Sequence, residues 1–117
     1  MGVKSYQELI VWQKAMDFVV DVYKITRRFP REEAYGLTNQ VRRAAVSIPS
    51  NIAEGQGRGV GQAFSHHVRI AQGSLQEAET QLLIAAKLNY ITAAELAPVL
   101  DQSAEIGRLN RGLLKSL

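Results

Sequence analysis

RRAAVSIPSNIAEGQGR, residues 42–58, is the stretch that decides the fold. Apolar residues recur in it and just before it with steps of three and four, which predicts one buried face of a helix. Those residues are Val41, Ala44, Ala45, Ile48 and Ile52. Pro49 lies inside this helix, although proline lacks the backbone N–H that an interior helical position uses. We therefore predict that helix 2 continues through Pro49 with a bend.

Polar residues crowd the second half of helix 2. Four of them recur with steps of four, three and four, so they share one line on the helix surface. They are Arg43, Ser47, Ser50 and Glu54. Asn51 lies beside that line, next to the apolar face, and a buried asparagine must be hydrogen-bonded. We predict that Asn51 is largely buried and bonded across to helix 3, with Ser74 or Glu77 as its partner.

Two interpretations of these polar residues remain open. They form a pocket for a ligand or a general base, or they form a structural network that fixes helix register and satisfies carbonyls freed by Pro49. The second is favoured because neither a nucleophile nor a set of metal ligands accompanies them. The predicted network comprises Ser47, Ser50, Asn51, Glu54, Ser74 and Glu77.

Amphipathic segments on both sides of this stretch predict one all-α domain over residues 1–117. The predicted helices cover about residues 6–28, 35–56, 62–89 and 93–115. Ser5 with Glu8, and Thr92 with Glu95, match the capping-box pattern at two of the helix starts. Short connections favour antiparallel neighbours, so we predict an up-down-up-down four-helix bundle with helix 2 bent at Pro49. The glycine-rich segment 55–61 is the predicted second connection, which either contacts a phosphate or serves only as a turn.

Two blocks carry a resemblance to a known family. They are RRAAVSIPSNIAEG at residues 42–55, followed by Arg58, and IAQGSLQEAETQL at residues 70–82. The chain resembles the four-helix-bundle family encoded by intervening sequences in bacterial 23S rRNA genes, to which accessory variability proteins of diversity-generating retroelements are similar. The resemblance implies an antiparallel bundle that assembles into a ring, commonly described as a pentamer, with no established enzymatic activity. The retroelement relatives bind a reverse transcriptase and nucleic acid. The resemblance therefore implies RNA, and a nucleic-acid-processing protein, as partners.

Helix 1 carries two apolar stripes, which is more than one small bundle buries. One stripe comprises Leu9, Trp12, Met16, Val19 and Tyr23, and the other comprises Val11, Ala15, Phe18, Val22 and Ile25. An exposed patch of that size favours aggregation unless another subunit covers it. We therefore predict a homo-oligomer, expected to be a closed ring because head-to-tail contacts otherwise grow into filaments. The predicted interface includes Val11, Phe18 and Val22.

The net charge of +3 lies in the first half of the chain. Residues 1–60 hold nine basic and six acidic side chains, whereas residues 61–117 hold five of each. A basic excess favours a polyanionic partner. The candidate nucleic-acid-binding residues are Arg27, Arg28, Arg31, Arg42, Arg43 and Arg58. The alternative is that these arginines only solvate helix ends, and that the protein is a structural or protein-partner adaptor without nucleic-acid binding.

Other function classes find little support in the sequence. The chain has no cysteine, so thiol chemistry and disulfides are excluded and a reducing cytoplasm fits. His66 and His67 are adjacent and diverge on a helix, so they predict no metal site. We expect no cofactor and no catalytic residue, and the weaker enzyme hypothesis rests on Asn51 and Glu54 alone. No segment is long and apolar enough to predict a membrane span.

Overall fold

The chain folds into four helices in a computed structural model that describes residues 5–59 and 61–117. They are α1 (Ile10–Thr26), α2 (Leu37–Gly57), α3 (Gln62–Lys87) and α4 (Ala93–Ser116). Single 3₁₀ turns at Tyr6–Glu8 and Arg31–Glu33 precede α1 and α2, and the described residues contain no strand. The prediction of an all-α fold is confirmed. In the described ranges, none of the helices combines the length and the apolar character that a bilayer crossing requires.

Helix α1 begins later than predicted. The Ser5 side chain accepts a hydrogen bond from the Gln7 N–H at 3.1 Å, so it caps the 3₁₀ turn. Leu9 then takes an extended conformation, and the α-helix starts only at Ile10. The predicted capping box at Ser5 is therefore wrong. The capping box at the start of α4 is confirmed, since Thr92 and Glu95 exchange both of its hydrogen bonds.

Helix α2 runs without interruption through Pro49, as predicted, and Pro49 is buried. The bend at that residue stays a prediction. Helix α2 continues to Gly57, one residue beyond its predicted end at about residue 56, so only the later part of the glycine-rich segment 55–61 forms the connection. The turn to α3 includes Gly59 and Gly61, whose φ angles are 103° and 88°. Glycine adopts this region without the steric penalty that other residues meet there.

Side-chain contacts between the helices fix their relative directions. Each helix packs on two neighbours, in the closed order α1–α2–α3–α4–α1. Ser47–Ser74 and Asn51–His67 join α2 to α3. Gln72–Asn110 and Glu79–Ser103 join α3 to α4. Lys14–Glu105 joins α1 to α4, and Arg28–Glu95 joins the residues just after α1 to α4. In each set of two, residue numbers rise along one helix as they fall along the other, so these neighbours are antiparallel. We call the end of the bundle that holds the α2–α3 connection the terminal end. The opposite end, which holds the α1–α2 and α3–α4 connections, is called the distal end.

The two apolar stripes of α1 differ in how far they are buried. The stripe that contains Val11, Phe18 and Val22 is inside the bundle, where these side chains are 5%, 0% and 0% exposed. The prediction that these three residues form an oligomer interface is wrong, because the chain's own helices already cover them. In the other stripe, Leu9, Trp12 and Val19 are partly buried against the core, whereas Met16 and Tyr23 are 40% and 39% exposed. The exposed apolar surface of α1 therefore belongs to part of this neighbouring stripe.

The distal end is closed by a contact between two connections. A Glu33 carboxylate oxygen accepts the Leu37 N–H at 3.0 Å, and the other accepts the Tyr90 hydroxyl at 2.8 Å. The Tyr90 ring also packs against Phe29, with the ring centroids 5.7 Å apart. The two hydrogen bonds, the Leu37 N–H first, hold the pKa of Glu33 below its ordinary value. The same carboxylate raises the pKa of Tyr90, because the hydroxyl donates to it.

Candidate functional site

The polar residues of α2 meet those of α3 in one hydrogen-bonded network. The Asn51 amide nitrogen donates to the carbonyl oxygen and to Oγ of Ser47, each at 2.9 Å. The Ser47 and Ser74 hydroxyls lie 2.9 Å apart across the interface. On the other side, Asn51 Oδ1 accepts from Nδ1 of His67 at 3.0 Å. We call Ser47, Asn51, His67 and Ser74 the α2–α3 polar network.

This network corrects two details of the sequence prediction. Asn51 is bonded across to α3 as predicted, but its partner is His67 rather than Ser74 or Glu77. Asn51 is also half-buried rather than largely buried. The sequence did not predict this role of His67, because two adjacent histidines suggest only a possible metal site. Its spacing offered a signal, since His67 and Ser74 are seven residues apart and share one flank of α3.

Three predicted members lie outside the network. Ser50, Glu54 and Glu77 are exposed. Glu54 pairs with Arg58 at 2.9 Å on its own helix, and its carboxylate lies 3.9 Å from His67 Nε2. That second contact is an ion pair only when His67 is protonated. The predicted membership is therefore wrong for Ser50 and Glu77, and Glu54 borders the network without a hydrogen bond to it in the described residues.

Gly55 lets His67 reach its position. A Cβ atom placed on Gly55 would lie 2.6 Å from Cβ of His67 and 3.3 Å from a ring carbon of Phe64. Any side chain at residue 55 would push α3 away from α2, because real Cβ atoms do not approach other carbons so closely. The glycine serves helix packing here and not the turn.

A shallow polar pocket of about 380 Å³ adjoins the network on the distal side. It lies between α2 and α3 and includes Arg43, Ser47, Ser74, Glu77 and Gln81. Gln81 Oε1 has no hydrogen-bond partner among the described residues, although the atom itself is buried. The guanidinium of Arg43 is exposed, so this pocket presents both signs of charge and several amide groups to solvent.

The six candidate arginines do not form one surface. Arg27, Arg28, Arg31 and Arg42 lie at the distal end, whereas Arg58 follows α2 at the terminal end. A helix of the length of α2, Leu37–Gly57, spans about 30 Å, so Arg58 cannot contact the same phosphate as the distal arginines.

Three of these arginines form contacts within the fold, namely Arg28, Arg42 and Arg58. Arg42 donates from Nε to the Thr26 hydroxyl at 2.8 Å, and its guanidinium lies 4.5 Å from the centre of the Tyr23 ring. Arg42 therefore joins α2 to the end of α1, and its assignment to nucleic-acid binding loses support. Arg28 pairs with Glu95, whose pKa is lowered first by the Thr92 N–H and also by this cation.

The other three are exposed and form no ion pair within residues 5–59 and 61–117. They are Arg27, Arg31 and Arg43. Arg58 points back along α2 to Glu54. That direction removes the cation that a phosphate site in the glycine-rich connection requires, so the structure favours the interpretation of this segment as a turn.

An apolar groove runs along the outer face of α1 and α2. Its hollow has a volume of about 390 Å³, and residues from both helices and from the preceding 3₁₀ turn form its wall. The lining residues are Tyr6, Trp12, Met16, Val19, Val46, Pro49, Ser50 and Ala53. We call this the α1–α2 groove. Val20 is 50% exposed on the same helix, so apolar surface extends beyond the hollow itself.

The described residues hold no cluster of three or more His, Asp or Glu side chains that is arranged to bind a metal ion. The rings of His66 and His67 do not diverge as predicted, since they meet edge to face with centroids 5.5 Å apart. The imidazole of His67 is committed to Asn51 through one nitrogen.

Fold and sites define an all-α four-helix bundle with an internal polar network and an exposed apolar groove. The chain belongs to the 23S rRNA-intervening sequence protein family, whose sequence profile matches residues 7–112. Its structure is similar to the crystal structure of a protein with unknown function from the S23 ribosomal protein family of Bacteroides thetaiotaomicron VPI-5482. The TM-score is 0.81 and the sequence identity is 25%, over 91% of this chain and 99% of that chain. A comparison with curated proteins finds no match.

Proposed function

We infer that this protein is a non-enzymatic, homo-oligomeric helical bundle that associates with RNA. The observation that carries the RNA part is the exposure of Arg27, Arg31 and Arg43, which form no ion pair in the described residues. Unpaired surface guanidinium groups are available to phosphate oxygens, which they contact without reading sequence. Family membership adds support through the nucleic-acid-binding relatives that the sequence resembles.

The α1–α2 groove supports self-assembly. Exposed apolar side chains on adjacent helices gain free energy when another surface covers them, at roughly 25 cal/mol per Å². A second copy of this chain is the proposed occupant, because the resemblance implies a ring of identical subunits. Val46 and Ala53 are the small or branched partners on α2, and they leave room beside Met16 for a side chain of the neighbouring subunit.

The geometry of the polar network supports a role without catalysis. The Ser47 hydroxyl is hydrogen-bonded to Asn51 and Ser74 rather than to the imidazole of His67. Among the described residues, this hydroxyl has no hydrogen bond to a general base that could take its proton, which nucleophilic catalysis by serine requires. The network satisfies helix polar groups and fixes the register of α2 on α3.

The RNA association is tested by fluorescence anisotropy of a labelled single-stranded RNA between about 50 mM and about 200 mM salt. We expect binding that weakens steeply with salt, since each phosphate contact releases counterions. The combined variant Arg27→Gln/Arg31→Gln/Arg43→Gln is expected to bind more weakly, by less than about threefold, with a slightly shallower salt slope. Lys14→Gln/Arg58→Gln is the comparison variant, because these cations are paired with Glu105 and Glu54. Absence of binding by the unmodified protein at low salt would reject RNA association.

One alternative has its own structural support. The α1–α2 groove needs no charge to function, so a structural or protein-partner adaptor is the second candidate. An assembly of defined mass that fails to bind RNA at about 50 mM salt would favour this adaptor over the RNA-associated protein.

A further inference from the structure

The antiparallel packing of α3 and α4 separates charges that are balanced along the sequence. Asn110 Nδ2 donates to Gln72 Oε1 at 3.0 Å, which places residues 62–76 of α3 beside residues 106–117 of α4. These two segments contain four basic side chains and no acidic one. The intervening residues 77–105, which form the distal half of both helices, contain one basic and five acidic side chains. Residues 61–117 have no net charge in total, but in the folded helix pair their terminal half is basic and their distal half is acidic.

The four cations lie along the groove between α3 and α4. On α4, three of them recur with steps of three and four, so they share one flank of the helix. They are Arg108, Arg111 and Lys115, and all three are exposed. Arg108 and Arg111 line a hollow of about 340 Å³ together with residues of α3. Arg69, on α3, lines an adjacent hollow nearer the terminal end. None of the four has an acidic partner within the described residues.

Gly107 forms the floor of this groove, and two N–H donors converge above it. A Cβ atom placed there would lie 3.3 Å from Nη1 of Arg111 and 3.6 Å from Nε2 of Gln72. The Gln72 amide is oriented by Asn110, which is fully buried and occupies the Gln72 oxygen. The Gln72 nitrogen, a donor only, is thereby directed to the same point as the guanidinium.

Acidic groups are remote from this point or already bonded. Glu79 lines the distal limit of the hollow, where its carboxylate accepts the Ser103 hydroxyl. Glu105 pairs with Lys14 of α1. By contrast, the distal cations lie among acids, since Arg28 pairs with Glu95 and Arg31 is followed directly by two glutamates.

We propose that the terminal half of the α3–α4 groove is the main contact surface for the phosphate backbone of RNA. Arg111 and Gln72 donate hydrogen bonds to one phosphate above Gly107, and Arg69, Arg108 and Lys115 contact neighbouring phosphates. Binding is independent of base sequence, because guanidinium and amide N–H groups here meet only phosphate oxygens. The assignment rests on the proposed RNA association and names a surface that the first-half arginines do not include.

The test compares two variants that each lose three positive charges. Arg69→Gln/Arg108→Gln/Arg111→Gln removes the groove cations, and Arg27→Gln/Arg31→Gln/Arg43→Gln removes the distal and α2 cations. Anisotropy with the same single-stranded RNA is measured at matched salt. We expect the groove variant to lose about tenfold or more in affinity and its salt slope to fall by about 2, at roughly 0.7 per lost contact. The matched distal variant is expected to lose less than about threefold, as its cations make fewer contacts.

Two further variants separate charge from geometry and folding. Arg69→Lys/Arg108→Lys/Arg111→Lys keeps the charge and is expected to restore most of the affinity. Gln72→Glu keeps the Asn110 hydrogen bond but replaces the donor with a carboxylate, so it is expected to weaken RNA binding with unchanged helicity by circular dichroism.

The outcomes are distinguishable. Equal losses in both triple variants, or a loss only in the distal variant, would overturn the groove assignment while leaving RNA association intact. No binding by the unmodified protein would reject the proposed function itself. Tighter binding to vesicles of anionic phospholipid than to RNA, lost in the groove variant, would assign the groove to a lipid surface and overturn the proposal.

Discussion

Asn51 of α2 and His67 of α3 share a hydrogen bond of 3.0 Å, with the imidazole Nδ1–H as donor and the amide oxygen as acceptor. The Asn51 nitrogen is at the same time bound to Ser47, so one side chain joins its own helix to its neighbour. An amide suits this position because it carries a donor and an acceptor on one planar group. The pair therefore sets how far α2 can slide along α3.

Replacing Asn51 should destabilise the bundle. Asn51→Leu leaves the His67 donor and the Ser47 hydroxyl without this partner, and losing such half-buried bonds costs about 1–3 kcal/mol. Urea unfolding followed by circular dichroism measures the change in the free energy of unfolding. Asn39→Leu is the matched control, as Asn39 is an exposed asparagine of the same helix, and we expect a change within about 0.5 kcal/mol. Equal stability of Asn51→Leu and the unmodified protein would contradict the structural role of the network.

Gly55 and Gly57 offer a matched pair of substitutions in α2. Alanine stabilises a helix interior by about 1 kcal/mol relative to glycine. Gly57→Ala should show a gain of this sign, since among the described residues beyond its own helix backbone and chain neighbours no atom lies within 4 Å of the added Cβ. Gly55→Ala should instead destabilise, because the added Cβ meets His67 Cβ at 2.6 Å and α3 must move. Thermal unfolding of both variants checks the opposite signs, and stabilisation by Gly55→Ala would refute the close approach.

The Glu33 contacts predict a loss of stability in acid. The pKa of Glu33 is lower in the folded protein than in the unfolded chain, so the folded state binds fewer protons at this group. Its contribution is complete above the ordinary carboxyl pKa of about 4.3 and is lost as the pH falls through the folded-state pKa. Glu33→Gln should therefore show a smaller drop in melting temperature between neutral and acidic pH than the unmodified protein.

Glu32→Gln is the control for that experiment, since it removes a neighbouring charge without removing the hydrogen bonds to Leu37 and Tyr90. An acid-induced loss that is the same in Glu33→Gln and in the unmodified protein would show that the Glu33 contacts do not couple to stability.

The sequence predicted the architecture because helical periodicity is a local property. Steps of three and four residues, the capping box at Thr92 and the passage of α2 through Pro49 all follow from short-range patterns. The helix that begins after Leu9 was placed too early, because a single 3₁₀ turn satisfies the same Ser5 hydroxyl that a capping box uses.

The sites were harder to predict because they depend on which helices become neighbours. Both stripes of α1 are apolar, and only packing against α2 and α4 decides that Phe18 is inside and Met16 is outside. Gly55 could not be separated from the turn glycines, since its function is defined by His67 on another helix. The basic surface at the terminal half of α3 and α4 could not be predicted either, because it depends on which segments of the two helices become neighbours. Arg69 and Arg111 are far apart in sequence, and residues 61–117, which contain both, have no net charge.

The α1–α2 groove makes Met16 and Phe18 respond differently to a charge. Phe18→Asp places a carboxylate in the core and should unfold the chain, since an unpaired buried charge is strongly unfavourable. Met16→Glu should leave the helicity intact, because Met16 is already 40% exposed. Circular dichroism at one concentration distinguishes the two, and a fully helical Phe18→Asp variant would contradict the packing of α1.

Light scattering coupled to size-exclusion chromatography tests the central claim, that the α1–α2 groove joins identical subunits. The unmodified protein should elute with a defined mass that is a multiple of the 12.9 kDa chain, five times that mass if the resemblance holds. Met16→Glu should lower this mass with unchanged helicity, whereas Ile84→Glu, on a comparably exposed residue of α3 at 43%, should not. A mass near 12.9 kDa for the unmodified protein at micromolar concentration would contradict the account.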